Sequence, residues 1–154
     1  MSEPTKEQDL LSRAALASFR LNGQFLSLAE GLSRPVGLTA ARWQVLGAIL
    51  DAPLTVSDIA RAMGLSRQAV QRIADRLVHD GLASYRENPT HRRAKLLSPT
   101  EAGRDAVQRI NPAHRHAALA LINELGATRA AEIVTALSEL SDAMEQLAIS
   151  TASQ

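Results

Sequence analysis

No cysteine occurs among the 154 residues of the chain. Disulfides, thiol redox switches and cysteine-ligated zinc are thereby excluded, and four histidines leave little for any other metal. Aromatic side chains are nearly as scarce. Phe19, Phe25, Trp43 and Tyr85 are the full set, too few for the stacking platforms with which proteins hold single strands. Lysine is reduced to Lys6 and Lys95 against 15 arginines. Such a bias suits recognition of phosphate and base edges, because guanidinium is the better bidentate fork, and a GC-rich genome produces it equally well. No apolar run approaches the ~18 residues of a membrane span. The N-terminal stretch is polar and mixed in charge, without the basic start and unbroken apolar run of a secretory signal, so a soluble, cytoplasmic protein is expected.

What is present suffices for one ordinary domain spanning residues 1–154, with 45% hydrophobic residues and a net charge of +1. A chain of this size removes roughly 68–70% of its unfolded surface from water on folding. Leu10, Ala14, Ala17, Leu21, Phe25, Leu28 and Leu32 recur at steps of three or four, the stripe of an amphipathic helix, which the sequence SRPVG ends. A second helix is expected from Thr39, as N-cap, to Leu50.

The following segment, LTVSDIARAMGLSRQAVQRIADRLVHDGL, is the most informative. Thr55 with Asp58 resembles a capping box with a shortened carboxylate, and Gly64 is suited to end the short helix in a left-handed conformation. Ser66 then caps another helix running to about Asp80, with Gly81 behind it. Val70, Ile73, Ala74 and Leu77 share one side of that helix, and Gln68, Gln71, Arg72, Asp75 and His79 the other. Two helices joined by a tight glycine-containing turn, the second with a long polar face, make a helix-turn-helix pattern.

Beyond Gly81, LASYRE and AKLLS read as short strands around a basic tip, NPTHRR. Ser98-Pro99-Thr100-Glu101 reads as a capping box with proline in the first helical position. The helix it opens meets Asn111-Pro112, a candidate kink or interruption, and Gly126 separates it from a last helix. There Ala130, Ile133, Leu137, Leu140, Met144 and Leu147 form a heptad seam. Seams at both ends of the chain are either ordinary core or surfaces for a second copy.

Charge is strongly local. Residues 61–95 hold eight basic side chains against three acidic ones, a net +5, and the remainder nine against thirteen, a net −4. A basic centre between slightly acidic arms fits a face that approaches a phosphate backbone. On the second helix of the motif, Arg67, Gln68, Gln71 and Arg72 are placed for base or backbone contact, since Gln pairs bidentately with adenine and Arg with guanine. Ser66 brings backbone N–H groups to a phosphate, and Arg76 is assigned to a phosphate. Arg92 and Arg93 at the hairpin tip are placed for the minor groove or the backbone, with one of them expected to turn back onto a carboxylate such as Glu87. Asp75 reads as a helix-surface ion pair with its neighbouring arginines, or as an acceptor from a cytosine amino group.

Catalysis has no positive support: no nucleophile elbow, Gly-rich phosphate cradle or paired carboxylates stand out. His114 and His116 lie about 200° apart on a helix and cannot share an ion, so no metal and no cofactor is expected. An alternative to DNA binding is a helical protein-interaction module that keeps the fold without the function.

The runs LTAARWQVLGAIL and LTVSDIARAMGLSRQAVQRIADRLVHDGLASYRENPTHRRAKLLSPTEAG together resemble the MarR family of winged-helix transcriptional regulators. The resemblance implies a mainly α fold with a small β-wing. A winged helix-turn-helix lobe over about residues 39–98 would be flanked by dimerisation helices over about 10–34 and 99–149. Ser66 to Asp80 corresponds to the recognition helix and Leu82 to Ser98 to the wing. It further implies a homodimeric regulator, a ligand-responsive repressor on a pseudo-palindromic double-stranded operator, with a small aromatic or phenolic effector. The wing departs from the pattern of many members in having Asn88 and His91 where aspartates precede the arginines.

Overall fold

The computed structural model describes residues 3–153. Helix α1 (Lys6–Ser33) begins four residues before the first apolar residue of its stripe, because Thr5 and Gln8 close a reciprocal capping box. Its end is tied to the next helix. Ser33 is buried, a short 3-10 turn covers Arg34–Val36, and Gly37 takes φ 77°. Helix α2 (Ala40–Ala48) has its first turn satisfied twice: Thr39 Oγ1 accepts from the Arg42 N–H at 3.2 Å, and the Glu30 carboxylate accepts from the Ala40 N–H at 2.8 Å.

A two-residue strand, β1 (Leu54–Thr55), leads into α3 (Val56–Met63). Thr55 Oγ1 accepts from the Asp58 N–H at 3.1 Å and donates to Asp58 Oδ2 at 2.8 Å. The aspartate is too short to reach back to the cap's backbone, so its carboxylate meets the cap's hydroxyl instead. Gly64 at φ 64° closes α3, and α4 (Arg67–His79) follows after Leu65 and Ser66. Only glycine takes that left-handed angle without strain.

Strands β2 (Ala83–Arg86) and β3 (Leu96–Pro99) form the wing, and the sheet order is β1-β3-β2, antiparallel throughout. The third strand is an addition to the expected hairpin. Leu97 is buried at its centre, with Leu54 on one side and Tyr85 on the other. The helix that follows does not start at Pro99. Pro99 pairs with Ala83 as the last residue of β3, and helix α5 (Glu101–Leu125) is capped by Thr100, whose Oγ1 accepts from the Gly103 N–H at 3.1 Å. Pro112 lies inside α5 and does not interrupt it.

The chain divides into two compact units, one ending at Pro112 and the other beginning at Ala113. The core of the first joins Leu46 of α2 and Ile49 just behind it, Ile59 of α3, Val70, Ala74 and Leu77 of α4, Leu97 of β3 and Ile110 of α5. Each of these is essentially inaccessible to water, which is what fixes the roll of α4 about its axis. The second unit holds the rest of α5 and helix α6 (Ala127–Ala152), separated at Gly126, φ 81°. Several long apolar side chains remain exposed. In α1, Leu10 and Phe25 are 63% and 53% accessible, and in α6, Met144 and Leu147 are 48% and 50%. No helix among the described residues is long and apolar enough to cross a membrane.

Candidate nucleic-acid interface

With Val70, Ala74 and Leu77 turned inward, helical geometry leaves Arg67, Gln68, Gln71, Arg72, Asp75 and Arg76 on the outer face, and all six are exposed. The helix entrance is set by Ser66, whose Oγ accepts from the Ala69 N–H at 3.1 Å. Replacing Ser66 by Ala removes that acceptor. A loss of about 1 kcal/mol is expected, read as a fall of about 2–4 °C in the melting temperature; an unchanged midpoint would show that the cap contributes nothing.

The outer face of α4 borders a cleft. Its lining comes from Thr55, Val56 and Ser57 at the start of α3, from Arg67, Gln68 and Gln71 of α4, and from Tyr85, Arg93, Ala94 and Lys95 of the wing. The fold thus brings four of the expected site residues, Arg67, Gln68, Gln71 and Arg93, around one concavity. Ser66, Arg72, Arg76 and Arg92 lie outside its lining. Lys95 and Tyr85 belong to it and were not expected as site residues. Lys95 was legible only as part of the local +5, and a lone tyrosine in a strand carries no signal of its own.

Electrostatics sorts the cations into two groups. Arg76 Nε donates to Asp80 Oδ2 at 3.0 Å, and Arg42 Nη1 donates to the same oxygen at 3.0 Å, tying the end of α4 to α2. The Arg76 hydrogen bond, helped by the charges of Arg76, Arg42 and His79, holds Asp80 below the usual carboxylate range against the opposing effect of burial. Among the described residues, no carboxylate pairs with Arg67, Arg72, Arg92, Arg93 or Lys95. The expected arginine-to-Glu87 tether is therefore absent. The wing loop is held instead by Asn88, whose Oδ1 accepts from the Thr90 N–H at 3.2 Å and the Thr90 hydroxyl at 2.8 Å. An Asx turn of this kind needs no charge, and both tip arginines stay without a carboxylate partner among the described residues.

Asp75 also departs from expectation. It pairs with no arginine among the described residues. Tyr85 donates its hydroxyl hydrogen to Asp75 Oδ1 at 2.6 Å, and Gln71 Nε2 donates to the same oxygen at 2.9 Å and to the Tyr85 hydroxyl at 2.8 Å. Burial, followed by the hydrogen bond and charge of Asp75, pushes the Tyr85 phenol far above its ordinary value. The phenol is therefore protonated, and a donor, at neutral pH.

The fold has known counterparts. The family model described as MarR family matches residues 36–94. An uncharacterized protein of Mycobacterium tuberculosis is 43% identical over 102 residues, covering 66% of this chain and 71% of that protein. A MarR family transcriptional regulator from Streptomyces coelicolor superimposes with a TM-score of 0.71 at 27% identity, over 88% of this chain and 96% of that one. A mutant MarR from E. coli, complexed with operator DNA, superimposes with a TM-score of 0.74 at 22% identity, over 89% of this chain and 99% of that one. Family and fold are those of transcriptional regulators rather than enzymes.

Proposed function

Since the chain belongs to the MarR family of transcriptional regulators, we propose that it binds a double-stranded operator sequence-specifically and as a homodimer, with α4 in the major groove. The observation that carries this reading is the cleft in which Arg67, Gln68 and Gln71 of α4 face Arg93 and Lys95 of the wing. None of those three cations pairs with a carboxylate among the described residues. Polar side chains able to read base edges stand next to charges able to hold the backbone. The E. coli relative complexed with operator DNA supports the same partner.

The exposed leucines, phenylalanines and methionine of α1 and α6 support a second copy, because apolar side chains concentrated on a helix mark an interaction surface. Two reading heads on one dimer predict a pseudo-palindrome with half-sites ~10–10.5 bp apart, centre to centre. A dimer covering a promoter acts most simply as a repressor, and the family resemblance extends this to release by a small aromatic or phenolic effector. Release of a labelled duplex on adding such a compound is the expected signature.

Roles within the site separate by experiment. Arg92→Ala is expected to weaken binding to every duplex alike and to lower the salt slope by about 1 for each phosphate no longer neutralised. Gln71→Ala is expected to cost about 1–3 kcal/mol of discrimination at one base pair per half-site, leaving the salt slope in place. Fluorescence anisotropy on a set of single-base operator variants compares the two, and indistinguishable profiles would overturn the division. A wild-type chain forming no salt-sensitive complex with the DNA upstream of its own gene would overturn the proposed function.

A further inference from the structure

A carboxylate on a surface built for phosphates calls for a reason, and Asp75 is that carboxylate. Gln71 Nε2, the Tyr85 hydroxyl oxygen and Asp75 Oδ1 form a triangle with sides of 2.6, 2.8 and 2.9 Å, joining recognition helix and wing strand. Hydrogen-bond chemistry fixes how the amide must face. An ionised Asp75 only accepts, and the phenol commits its single hydrogen to Asp75 and keeps its lone pairs. The end of Gln71 turned toward them therefore has to be the NH2 group, because a flipped amide would set Oε1 against a carboxylate. The two oxygens lie 2.6 Å apart, close enough for one amide hydrogen to serve both. Repulsion between Oε1 and the carboxylate selects the hydrogen that points away from Oε1. The outward edge of Gln71 is left with Oε1 and the second N–H side by side.

A free glutamine has no such fixed order. By flipping, it presents an acceptor where it had a donor, and so satisfies several base edges. Resting on the DNA-binding reading above, we infer that Asp75 and Tyr85 are positioning residues that set the base preference of the recognition helix. They hold the Gln71 amide in one polarity, complementary to adenine, whose major-groove edge offers the N6 donor beside the N7 acceptor. Neither residue reads the base itself. The negative charge of Asp75 weakens attraction to the duplex as a whole, and what it supplies in return is discrimination, the usual exchange in specific recognition.

The test is selection from a randomised duplex library, followed by affinities on single-base variants, for wild type, Gln71→Ala, Tyr85→Phe and Asp75→Ala. Wild type is expected to select adenine at one position of each half-site by ~10-fold or more, and Gln71→Ala to lose that preference. Tyr85→Phe keeps the ring and the charge of the chain, and is expected to reduce the preference to within ~3-fold while other positions keep theirs. Asp75→Ala is expected to flatten the same position while raising affinity for all duplexes through removal of a negative charge, a pattern that damage to the fold would not produce. Retention of the adenine preference in both Tyr85→Phe and Asp75→Ala overturns the inference and leaves DNA binding standing, as does selection of another base through Gln71. Absence of any duplex complex with wild type overturns both.

Discussion

Raising monovalent salt from about 50 to about 200 mM is expected to weaken the operator complex by roughly 1,000- to 100,000-fold, the range for six to ten phosphate contacts. The magnitude follows from the cations that the fold leaves uncommitted. Arg67, Arg72, Arg92, Arg93 and Lys95 are unpaired among the described residues, so the proposed dimer brings twice five to one duplex. Cations already paired with carboxylates release fewer counterions, which is why Arg76 and Arg42, both bound to Asp80, contribute less. Anisotropy titrations across that salt range give the slope of log affinity against log salt. A slope near zero would mean that the basic centre of the chain does not engage phosphates, and the protein-interaction alternative would then be favoured.

Gly103→Ala is expected to destabilise the first unit by about 1–3 kcal/mol or more, the range for overpacking against atoms that cannot yield. A Cβ at position 103 would overlap the Leu82 carbonyl oxygen and stand 3.3 Å from Leu46 Cδ2. That carbonyl is pinned. It accepts from the Thr100 N–H at 3.1 Å, while the Leu82 N–H donates to the Leu77 oxygen at 2.9 Å and Thr100 Oγ1 donates to the Gly81 oxygen at 2.6 Å. Better helix propensity of alanine, about 1 kcal/mol, opposes the effect without reversing it. Gly47→Ala in α2 is the control, because open space surrounds its added Cβ, and a gain of about 0.5–1 kcal/mol is expected there. Thermal unfolding at one fixed protein concentration compares the two. Equal midpoints for the variants would show that the close approach of α5 to the Gly81–Leu82 backbone is not a constraint.

The helix-turn-helix was legible residue by residue because each of its signals is local. Thr55, Gly64, Ser66 and Gly81 act on backbone within a turn of themselves, and the period of Val70, Ala74 and Leu77 declares the inner face of α4 without reference to anything distant. Capping at α5 was less legible, since Ser98 and Thr100 are both competent caps. Pairing of Pro99 with Ala83 decided between them. Strand β1 has only two residues and no periodicity, and exists because Leu54 meets Leu97, 43 positions away in the chain. Pro112, a candidate kink or interruption by its sequence, is carried inside α5.

The same division runs through the site. Type and placement of the residues proposed to read the duplex, Arg67, Gln68, Gln71 and Arg72, follow from the sequence, since an amphipathic helix with one apolar face has its polar face assigned by geometry. The local concentration of positive charge follows in the same way. Partnership of those side chains does not. Gln71 and Arg72 stand four and three positions before Asp75, which takes a hydrogen bond from the glutamine and not the arginine, its hydroxyl partner comes from Tyr85 on β2, and neither arginine of the wing tip turns to Glu87. Local periodicity fixes which way a side chain leaves its helix; which group it meets depends on a second element brought beside it by the shared core, and for Gln71 that meeting decides which end of the amide faces outward.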